Sequence, residues 1–105
     1  MTNSVYVISI KRVKDYKSNI LSKKDQYYEY LGFDPLSGYP AFVETSISPC
    51  CKTFTSIENA IKYFDELKKC LREVINFDYY DLSTLGIRER IITYKAERKL
   101  TMVNI

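Results

Sequence analysis

Between residues 56 and 76 the apolar side chains recur at helical spacing, and this recurrence sets terms for the rest of the chain. At about 100° per residue, Ile57, Ala60, Ile61, Phe64, Leu67, Leu71, Val74 and Ile75 share one broad arc. Glu58, Lys62, Asp65, Glu66, Lys69, Arg72 and Glu73 share the opposite arc. An apolar arc this wide suits a sheet better than the narrow seam of a coiled coil. A long amphipathic helix over 56–76 therefore requires a sheet to cover. Thr55 followed by Glu58 forms a capping-box pattern, and Ser56 can serve as the cap instead. Glu58 with Lys62, and Asp65 with Lys69, are favourable pairs, each contributing roughly 0.2–0.5 kcal/mol. Lys68 falls at the edge of the apolar arc, so its ammonium must snorkel or find a partner.

The remaining segments supply that sheet. Residues 5–12, VYVISIKR, put Tyr6, Ile8 and Ile10 on one face and Val5, Val7 and Ser9 on the other. Both faces begin apolar, as in a central strand covered on two sides. Residues 13–26 are Lys-rich with weak periodicity and read as a loop with one helical turn around 18–21. Residues 26–33, QYYEYLGF, have high strand propensity. Residues 34–40, DPLSGYP, carry turn chemistry, and 41–46 continue as a second strand, which together make a hairpin. Residues 47–54 read as a connector and 77–86, FDYYDLSTLG, as a loop. Two readings compete for the tail: strands within 88–94 and 100–105 joined near 96–98, or one helix through 87–100. The Ala, Glu, Lys and Arg content favours the helix, but the run Ile91, Ile92, Thr93, Tyr94 decides for strands. The expectation is a single α+β domain over residues 1–105, in the order β-β-β-α-β-β. It combines an antiparallel sheet of four to five strands with one long amphipathic helix packed on one face.

Composition then limits the chemistry. There is no His, which removes the usual general base and the commonest metal ligand. Cys50 and Cys51 therefore have no histidine to activate them, and Cys70 reads as a small core residue on the flank of the helix stripe. Three cysteines, two of them adjacent and none in a CxxC spacing, make neither a zinc site nor a disulfide framework. Neither GxGxxG nor GxxxxGK occurs. Asp78, Asp81 and Glu44 read as solvated carboxylates. The expectation is a chain with no catalytic residue, cofactor or metal. A small enzyme without histidine would need a buried carboxylate or tyrosine of shifted pKa inside a pocket. No apolar run approaches the ~20 residues that cross a bilayer. The N-terminal stretch lacks a basic segment ahead of its short apolar run, so no secretory signal is expected. With an odd cysteine count and two adjacent cysteines, a reducing cytoplasm is the expected compartment.

Ten Tyr and no Trp is the strongest compositional anomaly. Tyrosine favours contact surfaces because it offers large area, a polar tip and few rotatable bonds. A sheet of this size cannot bury ten phenols with satisfied hydroxyls, so several must be exposed. The tail from residue 87 carries five basic and two acidic residues, a surplus equal to the net charge of +3. The expected contact residues are Tyr27, Tyr30, Tyr79 and Tyr80 together with Arg88, Arg90, Lys95, Arg98 and Lys99. A second basic patch comprises Lys11, Arg12, Lys14, Lys17, Lys23 and Lys24.

The succession VYVISI, then YYEYLGF-turn-AFVET, then CKTFTSIENAIKYFDEL resembles small proteins of phages and mobile elements. In those proteins a first strand and hairpin lead to an F-x-S-x-E-x-A helix start, here Phe54, Ser56, Glu58 and Ala60. Several anti-CRISPR inhibitors look like this: solitary α+β domains without catalytic residues. The likeness covers residues 5–70 and carries over no functional residue, because those inhibitors share no common motif. The tail lies outside it. It implies a non-enzymatic protein that binds a host protein or nucleoprotein complex, such as a CRISPR effector, and inhibits it by steric occlusion. The alternative is a small RNA- or single-strand-binding module, in which Tyr27, Tyr28 and Tyr30 stack bases beside the basic patches. The apolar C-terminal segment, if an edge strand, could pair with its own copy and make a homodimer.

Overall fold

The structure, a computed structural model, describes residues 3–46, 48–70, 78–92 and 98–103. Along the chain these form β1 (Asn3–Arg12), β2 (Tyr27–Phe33), β3 (Pro40–Val43), α1 (Ile57–Lys69), β4 (Tyr80–Ile92) and β5 (Arg98–Met102). The five strands make one antiparallel sheet in the order β3-β2-β1-β4-β5. The α+β class, with an antiparallel sheet and one helix, is the class read from the sequence. The helix is shorter than that reading: 13 residues, where 56–76 was expected, and 71–77 lie outside the described residues.

β1 is central because it is apolar on both faces. Val7, Ile8 and Ile10 are fully buried. α1 lays Ala60, Phe64 and Leu67 against Ile8, Leu31 and Ile87. Each of the larger side chains buried there contributes on the order of 1.5–3 kcal/mol. Ser56 caps the helix by accepting the Asn59 amide at 3.2 Å. Lys68 finds its partner: its Nζ lies 3.4 Å from Asp65 and 4.8 Å from the Phe64 ring centre. The opposite face buries Val7, Tyr30 and Cys51, with Tyr28 and Val43 beside them.

The chain between β3 and α1 is more than a connector. β1 and β2 pair directly only from Ser9/Tyr30 to Arg12/Tyr27. At the other end, residues 50–54 stand between them. Phe33 N donates to Cys50 O at 3.0 Å and Lys52 N to Leu31 O at 2.9 Å, on the β2 side. Phe54 exchanges both backbone hydrogen bonds with Tyr6 on the β1 side, at 2.8 and 2.9 Å. The close approach depends on Gly32, where any Cβ would run into the Cys50 carbonyl.

Three further expectations are corrected. Residues 77–86 were read as a loop, yet β4 begins at Tyr80. The turn-forming residues make a bulge inside the strand: Ser9 faces Gly86 and Lys11 faces Asp81, so 82–85 lie opposite Ile10 alone. Thr84 Oγ1 takes the Lys11 amide there, at 2.8 Å. The helical turn expected at 18–21 is instead a small hairpin, with Lys14 bridged to Ile20, Asp15 N bonded to Asn19 O and Leu21 N to Val13 O. Asp15 causes this, because its carboxylate accepts the amides of Lys17 and Asn19, at 2.8 and 2.9 Å. In the tail the expectation of two strands holds: β4 and β5 pair antiparallel, which removes the competing helix through 87–100, although Arg98, expected in the join, belongs to β5. The turn between them, 93–97, lies outside the described residues, as do Asn104 and Ile105. The second hairpin strand, expected over 41–46, is Pro40–Val43.

Candidate interaction surface

Side chains alternate along β2, so Tyr27, Glu29, Leu31 and Phe33 point to the helix side of the sheet. α1 covers the Leu31 end. At the Tyr27 end, beyond the helix, the sheet buries charge. Arg12 Nη1 lies 3.4 Å from Glu29 Oε1, with the two side chains only 8% and 4% exposed. The Tyr80 hydroxyl donates to the same carboxylate oxygen, and Arg12 Nε donates to Lys14 O at 2.7 Å. Tyrosine rings surround the guanidinium, with centres 4.6 Å (Tyr16), 5.1 Å (Tyr79) and 5.7 Å (Tyr80) from its carbon. Phe42 packs on Tyr80 at 5.3 Å.

The electrostatics follow from burial and pairing. Burial pulls the Arg12 pKa down, but Glu29, Tyr80 and Tyr27 more than restore it, leaving it above its ordinary value. Burial, then the hydrogen bond to Glu29, holds the Tyr80 phenol well above the usual tyrosine range. Burial and Glu29 also raise Tyr27. This corner keeps a fixed cation, a carboxylate engaged by Arg12 and Tyr80, and two phenols, Tyr80 and Tyr27, that hold their protons.

Outside it lies an exposed surface. Tyr16 is 77% exposed and close to the exposed Tyr27, and Ile20, paired with Lys14 on the hairpin, is 81% exposed. Lys17, Lys23 and Lys24 are exposed on the same segment. The hairpin is ordered rather than loose. Ser18 adopts a left-handed backbone, φ 65°, and its hydroxyl shares a 3.2 Å hydrogen bond with Tyr79. The segment's two carboxylates are occupied locally: Asp15 by amides, which lower its pKa, and Asp25 by the Ser22 hydroxyl at 2.7 Å.

The other sheet face is built differently. Arg88 Nε donates to Ser9 Oγ at 3.0 Å, and its guanidinium sits 3.8 Å over the Tyr28 ring. Lys11 Nζ lies 5.5 Å from the same ring. Arg90 Nη1 donates to the Ser46 carbonyl, and its buried Nε has no hydrogen-bond partner among the described residues. Burial pushes the Cys51 thiol up to about 11, against the opposing pull of Arg90.

The nine expected contact residues therefore do not form one surface. Tyr27, Tyr79 and Tyr80 gather around Arg12. Arg88 and Arg90 lie on the opposite face, tied to Ser9, Tyr28 and Ser46. Tyr30, also on that face, is buried at 8% exposure, and burial raises its pKa, so it is a core residue and not a contact residue. Arg98 and Lys99 belong to the edge strand β5, and Lys95 lies outside the described residues. The expected aromatic stacking face also separates, because Tyr27 points away from Tyr28 and Tyr30. Glu29 was missed. Its signal was present: a carboxylate at an inward position of an aromatic strand requires a buried cation.

An apolar cleft of about 480 Å³ lies beside α1, lined by Ile61, Phe64, Leu85, Met102 and Val103 among others. Its charged lining groups, Asp65 and Lys68, pair with each other. Among the described residues, no group of Cys, Asp and Glu is arranged to hold a metal ion, and no helix is long and apolar enough to cross a membrane. No protein-family model, curated protein or solved structure matches the chain.

Proposed function

We propose that this protein works by binding: it attaches to a host defence nucleoprotein complex and inhibits it by occlusion, with a CRISPR effector as the type of target that the resemblance implies. The observation that carries the reading is the exposure of Tyr16 and Tyr27 beside the buried Arg12–Glu29–Tyr80 network, with Ile20 exposed on the adjoining hairpin. Rings held by a buried ion pair and an ordered hairpin give up little conformational freedom on association, which favours affinity. Tyrosine anchors of this kind dominate many interfaces.

The chemistry of the corner supports contact over catalysis. Tyr80 holds its proton, and Glu29 is committed to Arg12 and Tyr80. The far face supports protein contact over base stacking, since Tyr30 is buried and the Tyr28 ring is covered by Arg88. The test is to mix the full chain with a panel of purified bacterial defence complexes. Co-elution and loss of nuclease or interference activity are expected with at least one, both weakened in Tyr16→Ala/Tyr27→Ala. Neither co-elution nor inhibition across the panel would remove the proposal.

A further inference from the structure

We infer that the partner presents an acidic protein surface with apolar side chains, and that the 13–27 segment reads it. This rests on the reading that the chain acts by binding, and it adds the chemistry of the partner.

Charge comes first. The segment carries Lys14, Lys17, Lys23 and Lys24 against Asp15 and Asp25. Both carboxylates accept from neighbouring amide or hydroxyl donors and keep their charge, so the segment has a surplus of two positive charges. Arg12 is neutralised beneath by Glu29. The exposed lysines of the segment outnumber its carboxylates, with Glu44 as the acidic group close to Tyr27, and the complement of that surplus is a carboxylate-bearing or phosphate-bearing partner.

The exposed apolar side chain of the same hairpin separates those two partners. Ile20 is 81% exposed, at the end of the Lys14–Ile20 bridge, where the hairpin fixes its position. An exposed aliphatic side chain offers nothing to a phosphate and cannot stack on a base as an aromatic ring does. It does gain from burial against an apolar side chain. Tyr16 carries the Arg12 guanidinium over one face of its ring, 4.6 Å from the centre, and remains 77% exposed, so the rest of the ring is open for contact. Exposed apolar side chains and lysines on one segment supply the apolar and polar components of a protein interface.

The test titrates the isotope-labelled full chain with three probes. One is a short peptide in which Glu and Asp flank a Leu and a Phe. The second is its Gln/Asn analogue, and the third is a thymidine oligonucleotide. The acidic peptide is expected to shift the amide resonances of Tyr16, Ile20 and Tyr27, with an affinity that falls as salt rises. The Gln/Asn analogue should bind at least about tenfold more weakly, as should the acidic peptide to Ile20→Ser. Lys17→Glu combined with Lys23→Glu and Lys24→Glu should abolish binding. Equal binding of the uncharged analogue, shifts produced by the oligonucleotide but not the peptide, or no shift with any probe would each overturn the inference. Inhibition of defence complexes is scored separately. Inhibition without a peptide response keeps the binding reading and removes this one. A peptide response without any inhibited complex removes the defence target and keeps the acidic partner.

Discussion

Phe54 and Tyr6 exchange both of their backbone hydrogen bonds, so the chain that leads into the helix doubles as a rung of the sheet. The same segment bonds to Leu31 and Phe33 of β2. It therefore joins two strands that have splayed apart, and it places Cys51 in the core of the far face. This junction sets where α1 starts, and hence where the sheet is left uncovered by helix at the Arg12 end.

Replacing Gly32 tests the junction. Gly32→Ala drives a Cβ into the Cys50 backbone, which cannot yield as a flexible side chain would. A loss on the order of 3 kcal/mol is expected, at the upper end for single substitutions. Gly38→Ala is the contrast. Its φ of 75° is costly for alanine but open space surrounds it, so a loss of about 1–2 kcal/mol is expected. Urea denaturation of both variants gives the comparison; equal losses would show that 50–54 does not press on β2.

Breaking the buried pair on one side should cost more than removing it whole. Arg12→Met or Glu29→Leu strands a charge beside a sheet that keeps both side chains under a tenth exposed. Each is expected to lose about 3–5 kcal/mol. The double replacement should recover most of that loss, because no uncompensated charge remains. A double-mutant cycle by chemical denaturation measures the coupling, and additive losses would contradict the burial described here.

How much of this was legible in the residues follows from which forces are local. The two-faced apolar pattern of Val5–Ile10 located the central strand, and the Ser56 cap with its apolar stripe located the start of the helix. Residues 80–86 misled because Asp81, Ser83 and Thr84 carry turn chemistry, and the bulge satisfies that chemistry within a strand paired to a distant partner. Glu29 was passed over because its meaning depends on Arg12, which only the pairing of β1 with β2 brings to it. The separation of Tyr27 from Tyr30 follows from strand alternation and could have been read in advance. The exposed Ile20 could not, since it depends on how Asp15 folds the hairpin.

The three cysteines should differ in reactivity. Cys51 is 8% exposed, and burial disfavours its thiolate, whereas Cys50 and Cys70 are only partly buried. Thiolate fraction and access together set the alkylation rate. With limiting iodoacetamide at neutral pH, peptide mass analysis should find Cys50 and Cys70 modified first. Cys51 should follow only as denaturant opens the chain. Early modification of Cys51 would place it outside the core of the far face.

Alkaline pH should lower the stability of the chain over two overlapping ranges. Cys51 holds its proton up to about 11, where an unfolded thiol loses it near 9.0. Tyr80 likewise holds its proton above the value of 10.0 at which an unfolded phenol releases it. Between the unfolded and folded values the native state binds more protons than the unfolded state, so stability falls as pH rises. Their contribution is fully present below pH 9 and begins to be lost above it, first through Cys51 and then, from about pH 10, through Tyr80 together with the raised Tyr27 and Tyr30 phenols. Cys51→Ala should flatten the slope of denaturation midpoint against pH in the first range. Tyr80→Phe keeps the ring against Phe42 but removes the hydroxyl that Glu29 accepts. It should therefore lower stability by about 1.5–3 kcal/mol at neutral pH while reducing the slope in the second range. If the alkaline slope of Tyr80→Phe matched that of the unmodified chain, the phenol would not be buried against Glu29, and the network beneath the Tyr16 surface would lose its support.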